Sequence, residues 1–121
     1  MTISEVSEKY GLTPDTLRYY ERIGLIPPVP RTKSGLRDYD ESSCNWIEFI
    51  KCMRGAGQQI EALIEYVALY QQGDSTIEAR KNLLIEQRKD LLEKQAEIAA
   101  TIDRLNYKID NYEKICAKVI K

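Results

Sequence analysis

The chain has 121 residues, of which 43% are apolar and 31% charged, and its formal net charge is −1 at neutral pH. A chain of this length can bury one small core and carry one appended element, and its near-neutral charge gives no overall attraction to nucleic acid. It contains no histidine, so the usual general base and the commonest metal ligand are both missing, which argues against an enzyme.

The first predicted elements are two short helices separated by a tight turn. Residues 2–5 (Thr-Ile-Ser-Glu) have the form of a capping box, and Gly11 stops the first helix. Residues 13–14 (Thr-Pro) start a second helix, which is expected to end near Arg22, before Gly24. This order predicts a helix-turn-helix, whose second helix enters the major groove of DNA.

The next segment, residues 25–39, contains three of the four prolines and is therefore not helical. Residues 34–35 (Ser-Gly) mark a turn between two short extended pieces at 29–32 and 36–39, which predicts a small β-hairpin, or wing. Five cationic residues against two acidic ones occur between residues 14 and 37, so the second helix and the wing would form a local basic surface.

Two further helices follow the wing. Asp40 is expected to cap a helix of about 14 residues, which ends at Gly-Ala-Gly, residues 55–57. A fourth helix carries apolar residues at helical spacing and stops near Gly73. The core stripe predicted for the third helix is Trp46, Phe49, Ile50 and Met53.

The last segment is the most regular. Residues 75–78 (Ser-Thr-Ile-Glu) form another capping-box pattern, and neither proline nor glycine follows them. A seven-residue apolar repeat predicts a helix of about 60 Å, too long for the head to cover, so a second copy is the expected partner. The alternative is a single helix that lies on its own head. We therefore expect a mainly α-helical chain, with a winged helix-turn-helix head at 1–73 and a coiled-coil dimerisation helix at 74–121. The predicted seam residues are Leu91, Ile98, Ile102, Leu105, Ile109 and Tyr112.

Three cysteines, an odd number, favour reduced thiols over a disulfide framework. Charged residues occupy the N-terminal segment and no apolar stretch is long enough to span a membrane, so a cytoplasmic protein is expected. Cys44 is predicted on the solvent-facing side of the third helix, Cys52 at the edge of its core stripe, and Cys116 on the dimer seam. No metal or other cofactor is expected.

The predicted partner is double-stranded promoter DNA. Residues early in the second helix would meet base edges, and wing side chains would hold phosphates. The alternative is an ordinary solvated surface. The side chains predicted to contact DNA are Thr16, Arg18, Tyr19, Tyr20, Arg31, Lys33, Arg37 and Tyr39.

Residues 17–28 (Leu-Arg-Tyr-Tyr-Glu-Arg-Ile-Gly-Leu-Ile-Pro-Pro) and 37–39 (Arg-Asp-Tyr) resemble the signature and the wing motif of the MerR family of regulators. The resemblance implies a homodimer joined by an antiparallel coiled coil, and a twofold promoter that is bent and untwisted so that RNA polymerase can engage. It also implies that Thr16 and Arg18 lie on the recognition helix, while Tyr20, Arg37 and Tyr39 hold the DNA backbone. The cysteines of metal-sensing members are replaced here by residues 73–76 (Gly-Asp-Ser-Thr), which argues against metal sensing.

Residues 46–54 (Trp-Ile-Glu-Phe-Ile-Lys-Cys-Met-Arg) resemble the aldehyde- and thiol-stress branch of this family, in which the cysteine of this helix is the proposed sensor. This makes Cys52 the candidate sensor thiol, and Lys51 and Arg54 are near enough in sequence to favour a thiolate. Two alternatives stay open. One is a regulator that binds a small apolar ligand with help from Tyr66 and Tyr70; the other is a coiled-coil adaptor without DNA binding.

Overall fold

A computed structural model describes residues 1–120 of the chain, and the side chains as far as residue 117. Across this stretch no residue belongs to a β-strand, and the fold is mainly helical, as predicted. One 3₁₀ turn, Asp74–Thr76, lies between the fourth and fifth helices. The helices in chain order are α1 (Ile3–Tyr10), α2 (Pro14–Arg22), α3 (Glu41–Gly55), α4 (Ile60–Gln71), α5 (Ile77–Asp110) and α6 (Tyr112–Ile120).

The helix-turn-helix forms through the caps that the sequence predicts. The Thr2 hydroxyl accepts from the Glu5 amide at 3.2 Å, while the Glu5 carboxylate accepts from the Thr2 amide at 2.9 Å. Gly11 ends α1 in the left-handed conformation with φ +66°, where a side chain would be strained. The Thr13 hydroxyl then accepts from the Thr16 amide at 3.1 Å and begins α2. These bonds satisfy helix-end amides that would otherwise lack partners.

The face that α3 turns towards the core differs from the predicted one. Ile47 is fully buried, whereas Trp46 and Phe49 are only half-buried, so the core stripe is rotated by about one residue from the predicted position. In consequence, Cys44 is buried at 7% exposure, although it was predicted on the solvent-facing side of the helix. Cys52, predicted at the edge of the core stripe, is exposed. The core of the head consists of Val6, Leu17, Tyr20, Leu25, Ile26, Val29, Tyr39, Cys44, Ile47, Ile50, Met53 and Leu63.

The wing is a loop closed by one bridge, not the predicted β-hairpin with paired strands. Arg31 and Arg37 form an isolated antiparallel bridge, and the Gly35 amide donates to the Thr32 carbonyl at 2.9 Å to close the turn. Pro30 has no N–H to donate, which removes a bond that a longer ladder would need.

The connection from α4 to α5 also differs from the prediction. The capping box expected at residues 75–78 does not form; instead the Thr76 hydroxyl donates to the Leu69 carbonyl at 2.6 Å and to the Gly73 carbonyl at 2.8 Å. Arg80 in turn donates from Nε to the Thr76 hydroxyl oxygen at 3.0 Å. This segment, which we call the α4–α5 junction (residues 73–76), is thus held by side-chain bonds to the end of α4.

The predicted terminal helix is divided at Asn111 into α5 and α6. The Asn111 side-chain amide donates to the Tyr107 carbonyl at 2.9 Å. The 34 residues of α5 extend for about 51 Å. The structure describes the whole of this helix, and none of its residues is buried.

The chain divides into two compact units, Met1–Leu84 and Ile85–Lys121. The boundary at residue 73 between head and dimerisation helix stays a prediction. Within the described residues no helix is both long and apolar enough to cross a membrane.

Candidate nucleic-acid interface

The side chains predicted to read bases lie on the first turns of α2. Arg18 is exposed, and its Nη1 lies 3.0 Å from the Asp15 carboxylate. Both partners are solvated, so this ion pair contributes little stability and can be exchanged for another anion. Thr16 is half-buried, and its hydroxyl lies 2.8 Å from that of Thr13 at the helix cap. Arg18 is thus available on this surface, whereas the Thr16 hydroxyl already takes part in the cap.

Glu21 joins the wing to α2, a role that was not predicted for it from the sequence. Its carboxylate accepts from Arg37 Nε at 2.7 Å and from the Val29 amide at 2.6 Å, and Arg31 Nη2 lies 3.9 Å away. Burial alone would raise the pKa of Glu21, but these bonds and positive charges outweigh it and hold the pKa below its ordinary value. An acid placed between cationic residues was the signal that could have identified it.

The arginines of α2 and the wing meet at one groove of about 180 Å³, which we call the arginine groove. Arg31 is held across the wing by a 3.0 Å bond from Nη1 to the Gly35 carbonyl. The start of α1 contributes Thr2 and Ile3 to the lining. The groove is lined by Thr2, Ile3, Arg18, Arg31, Gly35, Leu36 and Arg37.

Tyr39 lies in the core at 1% exposure, which corrects its predicted place on the wing surface. Among the buried polar side-chain atoms of the described residues, its hydroxyl is the one without a hydrogen-bond partner. Burial raises the pKa of this phenol, and the charges acting on it come first from Arg37, then from Glu21 and the other two arginines of the groove. The charges of all three groove arginines therefore act on this unpaired hydroxyl.

The other three residues predicted to contact DNA differ in their exposure to solvent. Tyr20 is buried at 8% exposure, and burial raises its pKa. Its contact with the DNA backbone stays a prediction. Tyr19 is exposed, with the Arg22 guanidinium 5.4 Å from its ring centroid. Lys33 is exposed on the wing.

The structure exposes Cys52 but directs the neighbouring cations elsewhere. Lys51 Nζ donates to the Tyr10 carbonyl, and Arg54 Nη1 donates to the Gln58 carbonyl at 3.0 Å. Each of these two cations therefore has a backbone carbonyl as its hydrogen-bond partner. No group of three or more potential metal ligands occurs within the described residues.

Most of the predicted seam is exposed in the single chain. Leu91 is half-buried, while the other five side chains present large apolar areas to solvent. Their exposed fractions lie between 50% and 67% in Ile98, Ile102, Leu105, Ile109 and Tyr112.

A helix-turn-helix whose second helix and wing together bring three arginines to one groove is typical of a DNA-binding protein of the helix-turn-helix class. The profile of the MerR HTH family regulatory proteins matches residues 1–69, and the profile described as MerR, DNA binding matches residues 45–107. The chain belongs to the MerR family of DNA-binding transcription regulators.

Individual relatives define its position within the family. The chain is 62% identical to the HTH-type transcriptional regulator AdhR of Bacillus subtilis over 93 residues, which cover 77% of this chain and 66% of AdhR. A crystal structure from Listeria monocytogenes, also placed in the MerR family, superposes with a TM-score of 0.91 at 48% identity, covering 98% of this chain and 91% of the other. HiNmlR, a MerR family regulator lacking the sensor domain and bound to promoter DNA, gives a TM-score of 0.84 at 31% identity, with coverages of 96% and 92%. These similarities confirm the predicted family and an AdhR- and NmlR-like branch, whose named members are regulators and not enzymes.

Proposed function

We propose that two copies of this chain bind a dyad promoter, and that each arginine groove holds a phosphate of the DNA backbone. The observation that carries the proposal is one groove lined by three arginines, whose charges also act on a buried tyrosine hydroxyl that has no partner. HiNmlR, which shares this fold, has been crystallised with promoter DNA. Phosphate contacts position a protein on the duplex, whereas base contacts supply its specificity.

A phosphate in the arginine groove would complete the bonds that the free protein leaves open. It would replace Asp15 as the partner of Arg18. It would also accept a hydrogen bond from the Tyr39 hydroxyl, once DNA binding makes this buried group accessible from the groove. The same contacts, made by both copies, would hold the duplex in a bent and untwisted form that RNA polymerase engages. Specificity would then depend partly on how easily the promoter deforms.

Tyr39→Phe and Arg18→Ala test this proposal on a dyad promoter fragment. Tyr39→Phe removes a buried donor that lacks a partner, so stability should be unchanged or higher, while DNA affinity falls about threefold to tenfold. Arg18→Ala should weaken binding by about tenfold or more and should lower the salt dependence by about one counter-ion per copy.

Lys9→Ala is the matched control, since Lys9 is an exposed cation on α1 that does not line the groove. Fluorescence anisotropy at several salt concentrations measures both affinity and salt dependence. If Tyr39→Phe binds as tightly as the parent, or if Lys9→Ala weakens binding as much as Arg18→Ala, the phosphate assignment is wrong.

The second part of the proposal is that reactive aldehydes activate the regulator through Cys52. The sulfur would add to the aldehyde carbonyl carbon, the carbon–oxygen π bond would open, and the thiol proton would pass to the oxygen, giving a hemithioacetal without any redox change. Support comes from access: Cys52 is exposed on α3, whereas Cys44 on the same helix is buried. Its helix packs into the head through Ile50 and Met53, so an adduct would act on an element tied to the DNA-binding surface.

Cys52→Ser should bind the promoter normally and lose induction by formaldehyde in a purified transcription assay. Cys44→Ser is the control: it should respond like the parent, because a buried thiol does not meet the aldehyde. In the folded parent, a thiol reagent should modify Cys52 while Cys44 stays protected until the head unfolds. Full induction of Cys52→Ser would refute covalent sensing at this site and favour a non-covalent ligand.

A further inference from the structure

Four aromatic side chains from α3 and α4 cluster at the edge of the core, against which Trp46 and Phe49 pack. The Trp46 ring centroid lies 6.3 Å from that of Phe49, 5.7 Å from Tyr66 and 5.0 Å from Tyr70, and Phe49 lies 5.8 Å from Tyr66. The ring planes are inclined by 45° to 82° to one another. Inclined rings present faces and edges around a hollow, whereas parallel stacked rings would close it.

This hollow is a surface depression open to solvent, with a volume of about 300 Å³, which we call the aromatic cavity. Its walls are Trp46, Phe49 and Tyr66, and its rim carries Ser42 and Asn45. No charged side chain lines it. Its size is at the lower end of small-molecule sites, which are mainly apolar with a few polar groups that fix orientation. The Ser42 hydroxyl and the Asn45 carboxamide at the rim can each donate and accept hydrogen bonds.

The positive charge of Arg80 favours neutral aromatic ligands over cationic ones. The Arg80 guanidinium lies 5.5 Å from the Tyr70 ring centroid, so a cation already occupies one end of the cluster. A second cation held by the neighbouring rings would be repelled by it. The cavity therefore fits a neutral molecule better than a cationic one.

Arg80 also connects the cluster to the α4–α5 junction. Besides its contact with Tyr70, it donates from Nε to the Thr76 hydroxyl oxygen at 3.0 Å and from Nη2 to the Gly73 carbonyl at 3.3 Å. Any shift of Tyr70 in response to a ligand would thus act on the residues that connect α4 to α5.

We propose that the aromatic cavity binds a neutral, planar aromatic compound with one hydrogen-bonding substituent, and that Arg80 transmits its presence to the α4–α5 junction. The rings of Trp46 and Tyr66 contact the ligand face, and Asn45 or Ser42 bonds its substituent. Binding is independent of DNA, while the regulatory effect rests on the proposed promoter binding. No thiol takes part, so this site is separate from Cys52.

Trp46 is the single tryptophan of the chain, so its fluorescence reports directly on the cavity. In the full-length protein, para-cresol should change this fluorescence in a saturable manner. Its saturated analogue, methylcyclohexanol, should bind about tenfold more weakly because it lacks an aromatic ring, and tetramethylammonium should not bind. A non-saturable response to para-cresol, or tighter binding of the cation, overturns the proposal.

Ser42→Phe, which fills the rim, should abolish the para-cresol response. Glu48→Phe is the matched control: it adds the same ring at an exposed position of α3 outside the cavity and should bind like the parent. Both parent residues are exposed, so neither change removes a core contact. If Ser42→Phe instead leaves the response intact, or mainly changes the oligomeric state in light scattering, the cavity is not a small-molecule site.

Arg80→Lys tests the transmission, because lysine keeps the charge but lacks the planar group that contacts Tyr70 and the junction together. This variant should bind para-cresol like the parent, while para-cresol no longer alters its affinity for promoter DNA. Should the parent bind para-cresol but no DNA, the promoter proposal fails and the cavity assignment stands. Normal DNA binding without any para-cresol binding overturns the inference alone.

Discussion

The carboxylate of Glu21 accepts bonds from the Val29 amide and from Arg37, so it fixes both ends of the wing against α2. It is mostly buried, with 14% of its side chain exposed. Burial acts to raise its pKa, and the bonds and the two arginines lower it by more. The carboxylate therefore holds Arg37 by a hydrogen bond and lies 3.9 Å from Arg31.

Glu21→Gln should lower the free energy of unfolding by about 1–2 kcal/mol at neutral pH, because the charge-assisted bonds are weakened. The folded-state pKa lies below the unfolded value, about 4.3 for a glutamate, so the contribution is fully present above that value and is lost as the pH falls through the folded pKa. Urea unfolding at several pH values should show the difference between parent and variant shrinking on acidification. Glu8→Gln, at an exposed position, should show no difference; a Glu21→Gln effect that does not vary with pH would rule out this account.

At the scale of single elements, helix positions and caps were predictable because they depend on local chemistry. Thr2, Gly11, Thr13 and Asp40 begin or end helices where expected. The face of α3 was not predictable from periodicity, since this helix is apolar on two sides. One side, through Ile47, faces the core, and the other carries the aromatic cluster with α4. Only tertiary packing decides between them, and this decision also placed Cys44 and Cys52.

Interactions between residues far apart in the chain were equally unpredictable from the sequence. The arginine groove depends on Glu21 bonding across 16 residues to Arg37, a partnership that charge counting does not reveal. The basic character of the segment was predictable, but the burial of Tyr39 was not. The capping-box pattern at residues 75–78 was misleading, because the Thr76 hydroxyl donates to preceding carbonyls.

Thr76→Val should destabilise the head by about 1–2 kcal/mol, because it leaves two partly buried carbonyl groups and Arg80 without their hydroxyl partner while keeping the side-chain shape. Thermal unfolding measures the loss. Ser75→Ala is the matched control at the neighbouring exposed position, and its effect should stay within about 0.5 kcal/mol. Equal losses in the two variants would mean that Ser75 caps α5 after all.

On the scale of the whole molecule, the apolar side chains of the long helix α5 are not buried within a single chain. No residue of α5 is buried, and its exposed apolar side chains recur at coiled-coil spacing. A contiguous apolar stripe of this kind marks an interaction surface. The expected occupant is the same helix of a second copy, in the antiparallel arrangement that the family resemblance implies.

Placing aspartate at both Ile102 and Ile109 should give monomers, or a chain whose long helix is unfolded, because two charges would be buried in the seam. The control is aspartate at Ala100 and Tyr107, exposed positions on the opposite side of the helix, which should remain dimeric. Multi-angle light scattering at micromolar concentration measures both. A monomeric parent protein would contradict the seam assignment.

The absence of burial along α5 has a thermodynamic consequence for the amount of protein in the cell. An isolated helix gains little from propensity alone, so most of its free energy would come from association, and folding of this segment and pairing of two chains would become one equilibrium. By mass action, the unfolding temperature of such a segment rises with total protein concentration. Dilution would then melt the helix as well as separate the copies, and a sparsely expressed regulator of this design would depend on operator DNA to keep its two chains together.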